Sequence, residues 1–287
     1  MLRFWRYFFL LVCIPVAHAQ SRIDCNVLRS RILKEPVHYC VLLPSGYDAR
    51  HMRYPVLYFL HGLGNSEQTL FKSGGWNIIE DLRQQHKITD FLIVAPEGRA
   101  SFFINSAGGK TRYSDFFLTE FMPYIEGKYS MRRERAARGI SGISMGGYGA
   151  LRFAFAHPEL FSSVSAESPA LLTENAVQSP GFENQLGRLF GGVFGDPINR
   201  AHWKQNDPFT LARLNRARLK SMAIYFNCGQ DDDYGFAATS TALHRQLQEE
   251  GIKHEFHLYP GNHSAVYFLA HLGEMMEFQS RAFESAK

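Results

Sequence analysis

The sequence is poor in the residues that build metal sites and disulfide-rich scaffolds. Its 287 residues include only four cysteines. Neither an HExxH motif nor a paired CxxC motif is present, so the usual zinc-binding patterns are missing. His254 and His257 lie three residues apart on a predicted strand, where they face opposite sides and cannot share one ion. We therefore expect neither a metal ion nor a cofactor.

The chain also lacks a large net charge and a long apolar run. Its formal charge is +4, which gives no indication of a nucleic-acid partner. The apolar stretch at residues 7–16 is shorter than the roughly 20 residues of a membrane-spanning helix, and Pro15 interrupts it. We find no linker, repeat or low-complexity tract. With 45% hydrophobic residues, the chain can build one large core.

The first nineteen residues differ in composition from the rest. Residues 1–6 are basic, residues 7–16 are apolar, and residues 17–19 form a small-x-small cleavage pattern before Gln20. This order predicts a cleaved signal peptide at residues 1–19, and hence a secreted or periplasmic protein with no stable membrane insertion. A retained membrane anchor is the alternative. Cleavage removes two arginines and lowers the formal charge to +2.

Three cysteines remain after the predicted cleavage. Cys25 and Cys40 lie close in sequence, and export permits a disulfide between them, although the sequence leaves open whether they are joined. Cys228 follows a predicted buried strand. We expect it to be a packed thiol without a catalytic role.

A glycine-rich stretch carries the strongest chemical signal. Gly142-Ile143-Ser144-Met145-Gly146 is a GxSxG motif, which places a serine on a sharp strand-to-helix turn. A side chain at either glycine would collide with the neighbouring strand and helix. Ser144 is therefore the candidate nucleophile. The alternative is a glycine-rich turn with an idle serine.

Strand and helix patterns alternate through the chain. Strands are predicted at residues 37–43, 54–60, 91–95, 136–141, 161–166, 222–227 and 254–259, and helices at residues 76–85, 116–129, 148–157, 239–250 and after residue 264. Several of the strands are unbroken apolar runs, which is typical of strands covered on both faces. The alternation predicts an α/β fold with a mostly parallel sheet and helices on both faces.

The β pattern lapses across residues 169–219. An interruption of this length inside a sheet protein predicts a cap or lid, so we expect residues 20–287 to form one domain with this insertion. Phe194, Trp203 and Phe209 either stack on a sugar or an aryl group, or form the core of the lid itself. The long polar segment at residues 99–112 either contacts a ligand or is a mobile surface loop.

Three groups suited to nucleophilic catalysis follow predicted strands. Ser144 comes first, a cluster of aspartates at residues 231–233 follows a later strand, and His263 follows the last one. This is the chain order of α/β-hydrolases. In such a site the histidine takes the proton of the serine hydroxyl, while the carboxylate orients the imidazole. Periodicity does not say which aspartate faces His263.

A second glycine-containing turn, His61-Gly62-Leu63-Gly64, follows the strand at residues 54–60. Glycines directly after a central strand allow backbone N–H groups to point into a cavity and stabilise an oxyanion. The alternative is an ordinary strand-to-helix turn. We expect His61 to shape the turn.

Four segments together resemble the esterase D family of α/β-hydrolases. They are residues 58–62, 142–150, 228–232 and 260–263. The resemblance runs from about residue 37 to the end of the chain, and the serine segment is its most specific part. The family includes S-formylglutathione hydrolases, feruloyl and acetylxylan esterases, and mycolyltransferases of the antigen 85 type.

The resemblance implies roles for five residues. Ser144 corresponds to the nucleophile, His263 to the acid/base, and Asp232 to the orienting carboxylate, with Asp231 as the fallback. The backbone N–H groups of Leu63 and Met145 correspond to the oxyanion hole.

These assignments predict an exported serine carboxylesterase that acts through an acyl-enzyme without a cofactor. Its expected partner is a small-molecule or carbohydrate ester, phenolic or acetyl. A secretion signal fits badly with the cytosolic glutathione-thioester hydrolases, and residues 169–219 match no subfamily, so the substrate stays open. The alternatives are an acyltransferase that acts on a sugar or lipid hydroxyl, and a non-catalytic binding module on a hydrolase scaffold. The sequence does not indicate an oligomeric state.

Overall fold

One eight-stranded sheet runs through the computed structural model, which describes residues 21–174 and 186–285. The strands are β1 (Arg22–Arg29), β2 (Pro36–Leu43), β3 (Val56–Leu60), β4 (Leu92–Pro96), β5 (Arg138–Ile143), β6 (Ser163–Glu167), β7 (Ala223–Gly229) and β8 (Glu255–Tyr259). Their spatial order is β1-β2-β4-β3-β5-β6-β7-β8. The β1–β2 and β2–β4 pairs are antiparallel and all other pairs are parallel, so the predicted mostly parallel sheet is confirmed.

Helices cover both faces of this sheet. They are α1 (Thr69–Lys72), α2 (Gly75–Gln84), α3 (Tyr113–Phe116), α4 (Met122–Lys128), α5 (Met145–Ala156), α6 (Leu186–Phe194), α7 (Arg200–Asn206), α8 (Pro208–Leu219), α9 (Phe236–Glu249) and α10 (Ala265–Glu284). A π-helical turn, Phe117–Phe121, joins α3 to α4. Within the described ranges, no helix is both long and apolar enough to cross a bilayer.

The alternation of side chains along β3 divides the core in two. Val56 and Tyr58 point into the core shared with α5 and α9, whereas Leu57 and Phe59 point into the core shared with α2 and α10. Every residue of β3 is buried, as the unbroken apolar run predicted. This central position places the carboxyl ends of β3 and β5 side by side.

The sequence patterns did not predict β1. This strand lies at the edge of the sheet, and its residues are half-buried or exposed, so its sequence has no apolar run. Cys25 in β1 pairs in register with Cys40 in β2, and a disulfide joins them. Cys228 is a buried free thiol.

Residues 169–219 contribute α6, α7 and α8 to the α5 side of the sheet. Phe194, Trp203 and Phe209 are all buried in that core, which agrees with the second of the two interpretations of these aromatic residues. Phe102 and Phe103, in the segment at residues 99–112, are also buried, so a mobile surface loop is the wrong description of them. The predicted signal peptide and residues 175–185 of the predicted cap lie outside the described residues.

Candidate active site

Ser144 occupies a strained turn between β5 and α5. Its φ of 54° and ψ of −113° lie in a region that residues with a side chain rarely adopt. A Cβ atom added to Gly142 would collide with the backbone of Gly146, and one added to Gly146 would collide with the carbonyl of Leu60. The two glycines therefore allow the tight turn, as the GxSxG motif predicted.

Backbone hydrogen bonds from neighbouring residues hold this turn. The Ser144 N–H donates to the carbonyl of Glu167 at the end of β6, at 2.8 Å. The Ser144 carbonyl accepts from the N–H of Ala170, at 3.0 Å. The nucleophile candidate is thus fixed to the strand next to its own.

His263 lies between Ser144 and Asp232. Its Nε2 is 2.8 Å from the Ser144 Oγ, and its Nδ1 is 2.7 Å from Asp232 Oδ2. Because a carboxylate only accepts hydrogen bonds, Nδ1 carries the imidazole proton, and Nε2 is free to accept from the serine hydroxyl. The structure therefore brings together three side chains that the sequence places up to 119 residues apart.

Asp232 is the aspartate of the cluster that faces His263. Its side chain is fully buried, and Oδ1 accepts from the N–H groups of Tyr234 at 3.0 Å and Phe236 at 3.2 Å. Burial alone would raise the pKa of Asp232, but the hydrogen bond and charge of His263, together with the two N–H donors, lower it below the ordinary value. Asp232 is therefore a carboxylate at neutral pH.

The neighbouring aspartates have different surroundings. Asp231 is exposed, and its backbone N–H donates to the carbonyl of Gly261. Asp233 is also exposed, and its Oδ2 accepts from the backbone N–H of His263 at 3.2 Å. Asp233 thus holds the loop of His263 by a hydrogen bond at the surface. The run of three aspartates in the sequence does not predict this contact.

Aromatic rings enclose the imidazole of His263. Tyr234, Phe236 and Phe268 present edges or faces to it, with ring centroids 4.9, 5.5 and 5.1 Å away. These contacts restrict rotation of the imidazole between serine and aspartate. Sequence reasoning missed all three rings, although two of them closely follow Asp232 and one follows His263.

The turn after β3 lies against the nucleophile. A Cβ atom added to Gly62 would lie 3.7 Å from Ser144 Cβ. Among the hydrogen bonds of residues 21–174 and 186–285, none uses the backbone N–H of Leu63 or of Met145. Met145 directly follows Ser144 and Leu63 directly follows Gly62, so both predicted oxyanion donors belong to the two turns that meet at the nucleophile.

His61 links the turn after β3 to the segment after β4. Its Nε2 accepts from the Gly98 N–H at 2.8 Å, so its Nδ1 carries the proton and donates to the Gly62 carbonyl at 2.8 Å. Burial lowers the pKa of His61, which keeps the ring neutral. The expectation that His61 shapes the turn agrees with these contacts.

Glu167 is a buried acid that sequence reasoning missed. It ends β6, beside Ile143 in the sheet register, and its side chain is fully buried. Within the part of the chain that the structure describes, neither carboxyl oxygen has a hydrogen bond of good geometry, and the side chain of Asn227 on β7 is the amide nearby. Burial raises the pKa of Glu167 well above the ordinary value. The side-chain amide of Asn227 lowers this pKa, and the negative charge of Glu274 raises it further. Glu167 is therefore a buried acid whose surroundings favour the protonated form, and its backbone carbonyl accepts from the Ser144 N–H.

Comparison with known proteins matches the chain to esterases. A family model described as “Putative esterase” matches residues 30–278. An esterase of Mycobacterium tuberculosis (strain ATCC 25618 / H37Rv) is 29% identical over 241 residues, covering 78% of this chain and 51% of that protein. The chain thus spans about half the length of that relative.

Two further proteins match over nearly their whole length. An acetyl esterase of Caldicellulosiruptor saccharolyticus is 26% identical over 264 residues, covering 88% of this chain and 96% of that protein. The solved structure of a ferulic acid esterase superposes with a TM-score of 0.78 at 26% identity, covering 92% of this chain and 99% of that one. The α/β-hydrolase fold expected from the sequence is confirmed.

Proposed function

Because this chain belongs to the esterase family, we propose that it is an exported serine carboxylesterase that acts through an acyl-enzyme intermediate. The observation that supports this proposal most is the chain of short contacts from the Ser144 hydroxyl through His263 to Asp232. A hydroxyl, an imidazole and a carboxylate in this order are the groups that activate a serine nucleophile.

In the first half of the reaction, Ser144 Oγ attacks the ester carbonyl carbon while His263 Nε2 takes the hydroxyl proton. The imidazolium that forms is stabilised by Asp232, whose lowered pKa keeps it ionised. His263 then gives the proton to the alkoxide of the leaving alcohol, and the acyl group remains on Ser144.

In the second half, a water molecule replaces the alcohol. His263 removes a proton from the water, the resulting oxygen attacks the acyl carbon, and the Ser144 oxygen leaves and regains the proton. In both halves the N–H groups of Leu63 and Met145 donate to the carbonyl oxygen as it becomes negative. Such donors contribute about 3 to 4 kcal/mol each in related chemistry.

Export is part of the proposal. The N-terminal pattern of residues 1–19 suggests a signal peptide, and the disulfide between Cys25 and Cys40 suits an oxidising compartment. We also propose that residues 20–287 act as one domain, with residues 169–219 as the cap that borders the site. The proposed substrates are acetyl or feruloyl esters of carbohydrates, and the relatives include an acetyl esterase and a ferulic acid esterase.

The test is hydrolysis of p-nitrophenyl acetate by the protein without residues 1–19. We expect Ser144→Ala to lower kcat by about a millionfold, since the nucleophile is lost. Ser221→Ala, at an exposed serine far from the site in sequence, is the matched control and is expected to keep full activity. Undiminished turnover by Ser144→Ala would end the proposal.

A further inference from the structure

A buried tyrosine connects the loop of His263 to the strand that leads to Asp232. Tyr267 lies in the first turn of α10, shortly after His263 in the chain, and is 4% exposed. Its hydroxyl donates to Oδ1 of the buried Asn227, in β7, at 2.9 Å. Neither Tyr267 nor Asn227 belongs to the proposed triad, yet each lies a few residues from one of its members.

The carboxylate of Glu274 sets the direction of the hydrogen bonds around Asn227. Burial alone would raise the pKa of Glu274, but hydrogen bonds from Tyr259 and Tyr225 lower it, so Glu274 is ionised and only accepts. Tyr225 therefore gives its hydroxyl proton to Glu274 Oε2, at 3.0 Å, and accepts from Asn227 Nδ2, at 3.0 Å. The other polar side-chain atom of Asn227 is consequently the carbonyl oxygen, which receives the proton of the Tyr267 hydroxyl.

This chain of hydrogen bonds fastens α10 to β7 at two points. Tyr267 and Glu274 lie two helical turns apart on α10, so both face the strand. Tyr225 and Asn227 alternate with Phe226 along β7 and point to the same face of the sheet. Burial raises the pKa of Tyr267, so its hydroxyl stays protonated and remains a donor. The first turn of α10 is therefore held in a fixed position against β7.

The ring of Tyr267 supports the loop that precedes α10. Gly261 has a φ of 135°, which residues with a side chain rarely adopt, and a Cβ atom added there would lie 2.8 Å from Tyr267 Cδ2. The ring thus fills the space beside Gly261, just before His263 in the chain. The carbonyl of Gly261 accepts from the N–H of Asp231 at 3.0 Å. The loop of His263 therefore contacts both Tyr267 and the loop that carries Asp232.

We propose that Tyr267 is a positioning residue that fixes the imidazole of His263 relative to Asp232. It does so by packing against Gly261 and by donating a hydrogen bond to Asn227. The inference rests on the proposed serine esterase function and names a further residue that this function needs. The imidazole makes contacts of 2.8 and 2.7 Å to the other two members of the triad, and a displacement of about 1 Å in an active site costs up to about a hundredfold in rate.

The test is Tyr267→Phe, which removes the hydroxyl and leaves the ring beside Gly261. Asn227 Oδ1 then lies buried without its donor, so we expect the first turn of α10 and the imidazole to shift. We expect kcat for p-nitrophenyl acetate to fall by about tenfold with KM unchanged, because the substitution displaces a catalytic group and not the bound ester. The rate at which a fluorophosphonate labels Ser144 is expected to fall by the same factor.

Tyr129→Phe is the matched control. Tyr129 is also buried, at 8% exposed, and its hydroxyl donates to Asp24 Oδ2 at 3.1 Å, beside the opposite edge strand β1. We expect both variants to lose stability in urea unfolding, but Tyr129→Phe to keep its kcat and its labelling rate. Activity is measured under conditions in which both variants are folded. An equal loss of kcat in the two variants would show that Tyr267 has only a structural role.

A double-mutant cycle with Asn227→Ala tests how the effect reaches the site. In that background the Tyr267 hydroxyl has lost its acceptor, so adding Tyr267→Phe is expected to lower kcat no further. If Asn227→Ala does not fold, the comparison with Tyr129→Phe decides alone. Unchanged kcat in Tyr267→Phe, or losses that simply add in the double variant, would overturn the proposal. Failure of the unmodified protein to hydrolyse the ester or to be labelled at Ser144 would instead refute the proposed function, and the role of Tyr267 with it.

Discussion

Two buried carboxyl groups lie beside the Ser144 turn, one after β7 and one at the end of β6, and their surroundings differ. Asp232 receives two backbone N–H groups and the imidazole of His263. Glu167, on the neighbouring strand, has no hydrogen bond of good geometry among the described residues, and only a weak contribution from the Asn227 side chain opposes the effect of its burial. The pKa of Asp232 is lowered, whereas the pKa of Glu167 is raised well above its ordinary value.

Both carboxyl groups are buried, Glu167 the more deeply, and the groups around Asp232 reverse the direction of its shift. Desolvation disfavours the charged form of either carboxyl, and only hydrogen bonds or a nearby positive charge compensate for it. The loop after β7 supplies such groups because residues 234 and 236 turn their N–H groups toward Asp232. Asp232 is therefore suited to a catalytic triad because His263, and then two backbone N–H groups, keep its buried carboxyl ionised.

The largest effect expected from this comparison concerns Asp232. Asp232→Asn removes the negative charge and favours the wrong imidazole tautomer, so we expect kcat for p-nitrophenyl acetate to fall by about 10⁴-fold. Asp231→Asn, at the exposed neighbour, is the matched control and is expected to retain activity. If Asp231→Asn lost activity and Asp232→Asn kept it, the assignment of the acid would be wrong.

A smaller effect is expected at Glu167, and it concerns stability. In the unfolded chain Glu167 loses its proton near pH 4.3, whereas the folded protein keeps it to a much higher pH because the pKa is raised. Between these two pKa values the folded state binds more protons, so rising pH lowers the free energy of unfolding by about 1.4 kcal/mol per unit. The side chain of Gln does not titrate, so Glu167→Gln does not lose stability in this way as the pH rises.

Urea unfolding at pH 4, 6 and 8 measures this difference. We expect the free energies of unfolding of Glu167→Gln and the unmodified protein to be most similar near pH 4. As the pH rises, the variant is expected to become the more stable of the two relative to that starting point. Glu249→Gln, at an exposed glutamate, is the control and is expected to follow the unmodified protein. Parallel curves for Glu167→Gln and the unmodified protein would show that Glu167 is ionised in the folded state.

Much of the fold could be predicted because its strands are strongly patterned. The apolar runs of β3 and β4 have the length of strands and are covered on both faces, so they were identified within two residues of their ends. The edge strand β1 lacks such a run and was missed. The aromatic residues of the predicted cap had two interpretations, because a pattern of rings does not reveal whether they face a ligand or a core.

The candidate site could be predicted as far as chain order and local motif allow. The GxSxG motif dictates its own turn, and His263 follows the last strand of a parallel sheet, so both positions were predicted. The choice among residues 231–233 came from family resemblance, since only the conformation of the loop decides which side chain turns inward. Glu167 was missed because a single acid at the end of a strand has no distinguishing pattern.

Labelling with a fluorophosphonate, which reacts with activated serine hydroxyls, followed by peptide mass spectrometry, shows directly whether His263 activates Ser144. If His263 activates Ser144, we expect one adduct, on Ser144, and its loss in His263→Ala, where the hydroxyl is no longer activated. Labelling of a different serine, or labelling of Ser144 at an unchanged rate without His263, would contradict it.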